Sequence, residues 1–441
     1  MLDHGMQANA VEAVGRDLQT TYAEAIRRVL TQLDQMVAQS QGNWVGKRAD
    51  EFRSWWPAKR GRLSAIADDL HAYGQSALDN AAEQRTASGE FHAGVGSPTT
   101  LGPPSPVVSL RDLIRLPPDE QVAAWRQMSR QEQAALLKGK ESSIGEFTFM
   151  APEIRYAANR QLVFEQWAAL NARDTQHHGL SGSDLLREKL YERILREHQN
   201  VLFFDPSGDG RIAVVQGDLS HAGHVAVTVP GISNNLDNFG SLIDEGSRLK
   251  GAAGSDTAVV SWLGYDTPVG VGLNPIRMSA EIANTALARA GAQSLVPFVA
   301  GLRQLNPDAQ VTVIGHSYGS LVTGLAAKAG LQADNVVFIG SPGVGVHSVS
   351  EFNLPAGAHV YAAEPGAGVS VGGVNAGGDP VSNLGHNVHP FGAVPTGPGF
   401  GAKVLNIGNR LDITASHSDY YKNGSTSLEL LGKIAGGEEL P

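Results

Sequence analysis

Val311-Thr312-Val313-Ile314-Gly315-His316-Ser317-Tyr318-Gly319-Ser320-Leu321-Val322 is the stretch on which the fold turns. Val311–Ile314 is a short β-branched run and reads as a strand. The apolar segment Leu321–Ala327 reads as a helix. Gly315–Gly319 joins the two, so the turn is sharp. Glycine on either side of Ser317 avoids the clashes that other side chains would make there. Such a turn lifts the serine hydroxyl off the sheet at a helix N-terminus. Free backbone N–H groups and the helix dipole then favour a developing negative charge. Ser317 is therefore the candidate nucleophile.

The same alternation extends on both sides. Short apolar runs occupy Val201–Phe204, Ile212–Gln216, Val225–Val229, Ala258–Trp262, Val336–Ile339, Val360–Ala362 and Val404–Ile407. Helical patterns fall at Leu236–Leu249, Ile276–Leu305 and Ser320–Ala329. Strands alternating with helices predict an α/β fold, a mostly parallel sheet covered by helices on both faces. The first two runs, joined by Asp205–Gly210, predict a hairpin at the sheet edge. Upstream, helices are expected at Pro118–Lys138, Ala151–Asn171 and Ser183–Asn200.

Serine is a weak nucleophile without a base. On elbow-type hydrolases the chain order is Ser, then Asp or Glu, then His. His417 follows the last predicted strand and is the candidate base. Asp379, in a Gly-Gly-Asp-Pro turn, is the preferred acid. Glu364, at the end of Val360–Ala362, is its rival, and Asp412 a third choice. The oxyanion hole needs two backbone donors. One is expected from Tyr318. The other is expected from Gly231 or Ile232, because Pro230 has no N–H. His316 either supports the turn or lines a pocket. His386 and His389 precede the last strand and read as loop or pocket residues. Trp262 and Tyr265 either line a pocket or form a packed aromatic loop. The glycine-crowded stretch Gly366–Gly401 reads as a cover over the site.

Composition narrows the rest. A chain of 441 residues fits two or three domains. A net charge of -10 argues against a nucleic-acid footprint. The absence of cysteine excludes disulfides, thiolate metal sites and a thiol nucleophile. No G-x-G-x-x-G opens the first βα unit and no P-loop occurs, so no cofactor is expected. No apolar run is long enough to span a membrane. No general signal peptide is visible at the N-terminus.

The first 87 residues show two amphipathic patterns. One runs through Val11, Val14, Leu18, Tyr22, Val29 and Met36, the other through Phe52, Trp56, Leu63, Ile66 and Leu70. Gly42–Gly46 separates them, which predicts an antiparallel helical hairpin. Residues 88–108 have a linker composition, residues 109–200 form a helical region, and residues 201–441 form the catalytic domain.

Two resemblances follow. Trp44-Val45-Gly46 between two helices resembles the WXG-type hairpins of type VII secretion substrates. That implies export by that route, the alternative being cytoplasmic residence, and a partner for the hairpin. The usual Tyr-x-x-x-Asp/Glu signal is absent, since Ala77 stands four residues after Tyr73. Residues 109–436 resemble an actinobacterial α/β-hydrolase family long labelled a domain of unknown function. The likeness rests on Ala151–Arg160 (APEIRYAANR), Val227–Gly231 (VTVPG), Ser261–Pro268 (SWLGYDTP), Gly315–Gly319, His386–Gly392 (HNVHPFG) and His417–Tyr421 (HSDYY). It implies a hydrolase with a Ser-Asp-His site and names no substrate. A small-molecule or lipid-type ester, thioester or amide is expected. The other reading is an inactive hydrolase fold whose hairpin binds a secretion or membrane partner.

Overall fold

A computed structural model describes residues 110–114, 116–139, 144–145, 150–177, 180, 182–268, 285–367, 369–371, 374–376, 379, 381–382, 386, 391–410 and 417–441, with scattered positions before residue 79. The chain divides into two compact units, Met1–Pro103 and Pro104–Pro441.

In the first unit, α1 spans Glu24–Gln39, and the described positions between 54 and 78 are helical. Polar pairs join the two segments. Arg27 meets Asp68, and Asp34 accepts from Trp56 and Arg60. Gln19 reaches His71 and Gln75. Positions rise along one segment as they fall along the other, which is an antiparallel arrangement. Ala23, Leu30, Trp56 and Ala67 are buried. Trp44-Val45-Gly46, Tyr73 and the linker 88–108 lie outside the described residues.

The second unit begins with α2 (Leu110–Ile114), α3 (Pro118–Gln127), α4 (Arg130–Leu137), α5 (Pro152–His177) and α6 (Gly182–Arg196). The single helix expected over Pro118–Lys138 is two. Ser129 breaks it by accepting from the Glu132 N–H while the Glu132 carboxylate takes the Ser129 N–H at 2.8 Å. This capping box starts a new helix. α5 packs on the first strand, where Asn159 Nδ2 donates to the Val201 carbonyl at 3.0 Å. The helical segments after residue 104 thus belong to the same compact unit as the sheet.

Eight strands form that sheet: β1 (Asn200–Asp205), β2 (Arg211–Gln216), β3 (His224–Val229), β4 (Thr257–Leu263), β5 (Gln310–His316), β6 (Asn335–Ile339), β7 (His359–Ala363) and β8 (Lys403–Leu405). Their order is β1-β2-β4-β3-β5-β6-β7-β8. β1 and β2 form the expected edge hairpin, β2 runs antiparallel to β4, and every other pair is parallel. The remaining helices are α7 (Phe239–Ala253), α8 (Thr285–Leu305), α9 (Tyr318–Lys328) and α10 (Thr426–Ala435). Residues 276–284 of the expected Ile276–Leu305 helix lie outside the described residues.

Strand alternation sends side chains to two cores. Val311, Val313, Val336 and Phe338 pack with Ala292, Leu295 and Val299 of α8 and Leu321 and Val322 of α9. Ile314, Val337, Ile339 and Tyr361 pack the other way, against Leu249 of α7 and Leu428, Leu431 and Ile434 of α10. The stretch expected as a structureless cover contains strand pieces. Val369–Val371 pairs with Val374–Ala376, and Gly366–Ala367 pairs with Asn409–Arg410.

α7 also carries a charge at odds with its surroundings. Burial pushes the Glu245 carboxyl up to about 7, against the pull of Arg248 and with the push of Asp244. A carboxyl raised in the folded state binds its proton more tightly there than in the unfolded chain. Its stabilising protonated form is therefore lost as pH rises from about 4.5 through 7. Glu245→Gln is expected to leave stability unchanged near pH 5 and to raise it by about 2 kcal/mol at pH 8. Urea unfolding of both proteins at the two pH values checks this. An equal effect at both would refute it.

Candidate active site

Ser317 sits between β5 and α9 with φ 56° and ψ -128°. This is a left-handed φ that a serine holds only under constraint. The constraint is a set of backbone bonds. Ser317 N–H donates to the Ile339 carbonyl at 2.9 Å, and Ser320 N–H to the Ser317 carbonyl at 2.9 Å. Ser320 Oγ donates to the Gly315 carbonyl at 2.9 Å. A Cβ at Gly315 would lie 2.7 Å from Thr323 Oγ1 and 2.8 Å from the Gly319 carbonyl. One at Gly319 would strike the Val229 carbonyl and lie 2.5 Å from that of Pro230. The two glycines let the elbow, its helix and the loop after β3 occupy one small volume.

That loop faces the serine. A Cβ at Gly231 would stand 2.7 Å from Ser317 Cβ and 3.0 Å from Oγ. Its carbonyls are pinned from behind. Tyr265 O–H donates to the Pro230 carbonyl at 2.6 Å, and Asn234 Nδ2 to those of Gly231 and Ile232, each at 3.1 Å. In a trans peptide the N–H points opposite to its C=O. The Gly231 and Ile232 N–H groups therefore turn away from these braces, and neither has a partner among the described residues. Tyr318 opens α9, where first-turn N–H groups lie beyond the reach of the helix's own carbonyls.

The candidate acid and base meet. His417 Nδ1 lies 2.9 and 2.8 Å from the two oxygens of Asp379. The Asp379 side chain is fully buried, whereas that of His417 is partly exposed. Asp379 also accepts from the Val381 N–H at 2.8 Å, the Ser382 N–H at 3.3 Å and the Tyr420 O–H at 2.7 Å. Burial pushes this carboxyl up. Hydrogen bonds from His417, Tyr420 and Val381, with the His417 charge, outweigh burial and hold it below the usual range.

Strand β6 connects the two halves. Ile339 holds Ser317, and the next residue, Gly340, backs the acid–base pair. A Cβ on Gly340 would lie 2.7 Å from Asp379 Oδ2 and 3.1 Å from His417 Nδ1. His316 adds a second link, its Nε2 lying 2.8 Å from the His417 carbonyl. Burial and the nearby His417 push His316 down to about 4, so it is neutral at physiological pH.

Glu364, the rival acid, is engaged elsewhere. His386 Nε2 lies 2.8 Å from Glu364 Oε1 and 3.3 Å from Thr396 Oγ1. The Glu364 contact raises His386 above its ordinary value. Trp262 and Tyr265 are buried in the core, with their rings stacked at 6.1 Å. Trp262 is thus packing, and Tyr265 supports the loop after β3 from behind. Asp412 and His389 lie outside the described residues. Tyr420 and Gly340 were not singled out by sequence reasoning. Tyr420 stands three residues after His417, a spacing that one 3₁₀ turn, Asp419–Tyr421, brings to the same side.

A cleft of about 500 Å³ lies beside α9, lined by Leu321, Leu325, Phe391, Arg289 and His347. A larger one, of about 1130 Å³, lies among α3–α6, and neither is lined by Ser317, His417 or Asp379.

A family model described as "Alpha/beta hydrolase" matches residues 205–367. The uncharacterized protein Rv0963c of Mycobacterium tuberculosis (strain ATCC 25618 / H37Rv) is 30% identical over 227 residues, covering 47% of this chain and 78% of that one. The uncharacterized protein Rv2079 of the same strain is 33% identical over 259 residues, covering 53% of this chain and only 38% of that one. The chain belongs to the α/β-hydrolase family. The crystal structure of esterase LipW from Mycobacterium marinum is similar with 12% identity and a TM-score of 0.34, covering 62% of this chain and 89% of that chain.

Proposed function

We propose that the chain is a serine esterase that works through an acyl-enzyme, with Ser317, His417 and Asp379 as its triad. The reading rests on one observation above all. A buried, multiply bonded carboxylate grips His417 Nδ1, and the same strand end that backs this pair also holds the strained serine.

With Nδ1–H donated to Asp379, the Nε2 of His417 keeps its lone pair. It accepts the Ser317 proton as Oγ bonds to the substrate carbonyl carbon. The carbonyl oxygen becomes an oxyanion. Tyr318 N–H and the N–H of Gly231 or Ile232 receive it, while Ser317 N–H is committed to Ile339. The intermediate collapses, the leaving alkoxide takes the proton from His417, and the acyl group stays on Ser317. Water then repeats the sequence and releases the acid. None of this chemistry needs the unit Met1–Pro103.

A fluorophosphonate probe tests the reading without knowledge of the substrate. The wild type is expected to be labelled on the peptide containing Ser317, and Ser317→Ala is expected to stay unlabelled. Folded wild type that takes no label would sink the esterase reading. It would favour an interaction protein built on a retired hydrolase fold.

A further inference from the structure

Two residues in the shell of the acid–base pair have no part in the reaction just described. Tyr420 donates its O–H to Asp379 Oδ2 at 2.7 Å. His316 Nε2 lies 2.8 Å from the carbonyl of His417. A carbonyl only accepts, so His316 is the donor and its proton sits on Nε2. We propose that Tyr420 and His316 are positioning residues, which lock the side chain of Asp379 and the backbone of His417 in the geometry that proton transfer from Ser317 requires. This rests on the esterase reading above.

The partition of bonds on Asp379 makes Tyr420 specific. The Val381 and Ser382 N–H groups both bind Oδ1. Oδ2 is held by His417 and Tyr420. The last torsion of an aspartate is soft. Without the phenol, Oδ2 keeps only the imidazole that it is meant to orient. Tyr420 also draws off part of the carboxylate charge. Losing it leaves more negative charge on the carboxylate oxygen that faces His417. The ionisable groups around the carboxylate are His417 and Tyr420 from the 417–421 turn and His316 from the elbow, with Glu364 from the end of β7 acting on Tyr420.

His316 acts on the backbone. Its ring lies 4.9 Å from that of His417 and 5.5 Å from that of Tyr420. One residue thus ties the nucleophile's own turn to the base. It is neutral, so it steadies the carbonyl without adding a positive charge beside the imidazole.

The test is the rate of fluorophosphonate labelling of the full chain, measured against probe concentration. Tyr420→Phe is expected to slow the saturated labelling step about tenfold, with half-saturation changed by less than about twofold. His316→Leu should slow labelling about tenfold, whereas His316→Gln, which keeps a donor, should stay within about threefold of wild type. A folded Tyr420→Phe with the wild-type labelling rate, or with the loss confined to half-saturation, would overturn the role of Tyr420. Equal loss in the two His316 variants would reduce His316 to packing. Should Tyr420→Phe fail to fold, the His316 pair decides the matter. Wild type that takes no label removes the esterase reading and this proposal together. A labelled wild type matched by its variants removes this proposal alone.

Discussion

Asp379→Asn is expected to lower kcat for ester hydrolysis by about 10⁴-fold while leaving the fold intact, the loss seen when the same change is made in serine proteases. An asparagine can turn its NH₂ toward Nδ1, where a carboxylate only accepts. The imidazole then takes the tautomer with its proton on Nε2 and no longer has a lone pair for Ser317. Asp379 is fully buried, and its oxygens also serve Val381, Ser382 and Tyr420. No water can stand in for it easily. Glu364→Gln is the matched control. It weakens the bond to His386 and leaves the His417 tautomer alone, so activity should stay within about tenfold of wild type. Steady-state hydrolysis of a p-nitrophenyl ester by both variants separates the two carboxylates. If Glu364→Gln showed the larger loss, the acid would have to be reassigned.

Gly319→Ala carries the second large effect, for a steric reason. The new Cβ would fall on two backbone carbonyls, those of Val229 and Pro230. Backbone in the centre of a parallel sheet cannot swing aside as a side chain can. The elbow and the β3 loop must separate, and the Gly231 or Ile232 donor leaves the place where the oxyanion forms. Misplacing such a donor costs about 10²- to 10³-fold in rate, and overpacking of this kind about 1–3 kcal/mol in stability. Gly182→Ala, where a Cβ meets nothing within 4 Å, should be silent in both assays. Labelling kinetics and thermal unfolding would show the contrast. A Gly319→Ala protein with wild-type labelling would place the oxyanion hole elsewhere.

Much of this fold is legible in the sequence because buried parallel strands write themselves as β-branched runs. Each of the eight runs overlaps a strand of the sheet, and Val311–Gly319 locates the elbow. What sequence order does not resolve is contact. Asp379 and Glu364 both follow β7, and only the third dimension assigns His417 to one and His386 to the other. Tyr420 lies within the quoted His417–Tyr421 motif. Its role depends on a single 3₁₀ turn, which period and composition do not reveal. The break at Ser129 is a different case. Ser129-x-x-Glu132 is a readable capping box, and the apolar pattern across Pro118–Lys138 conceals it. For Trp262 and Tyr265 the sequence leaves a pocket lining and a packed aromatic loop equally open, and only the structure shows both rings buried.

Gly340 has a consequence for how such an enzyme can diversify. Asp379 and the turn that carries His417 and Tyr420 are 38 residues apart in the chain, yet they converge on the one Cα that has no side chain to keep them apart. The Val381 and Ser382 N–H groups hold Asp379 from its own segment, and the end of β6 leaves room for the imidazole to reach it. Any side chain at position 340 would part the candidate acid from its base, so this one bare position limits what the site can become.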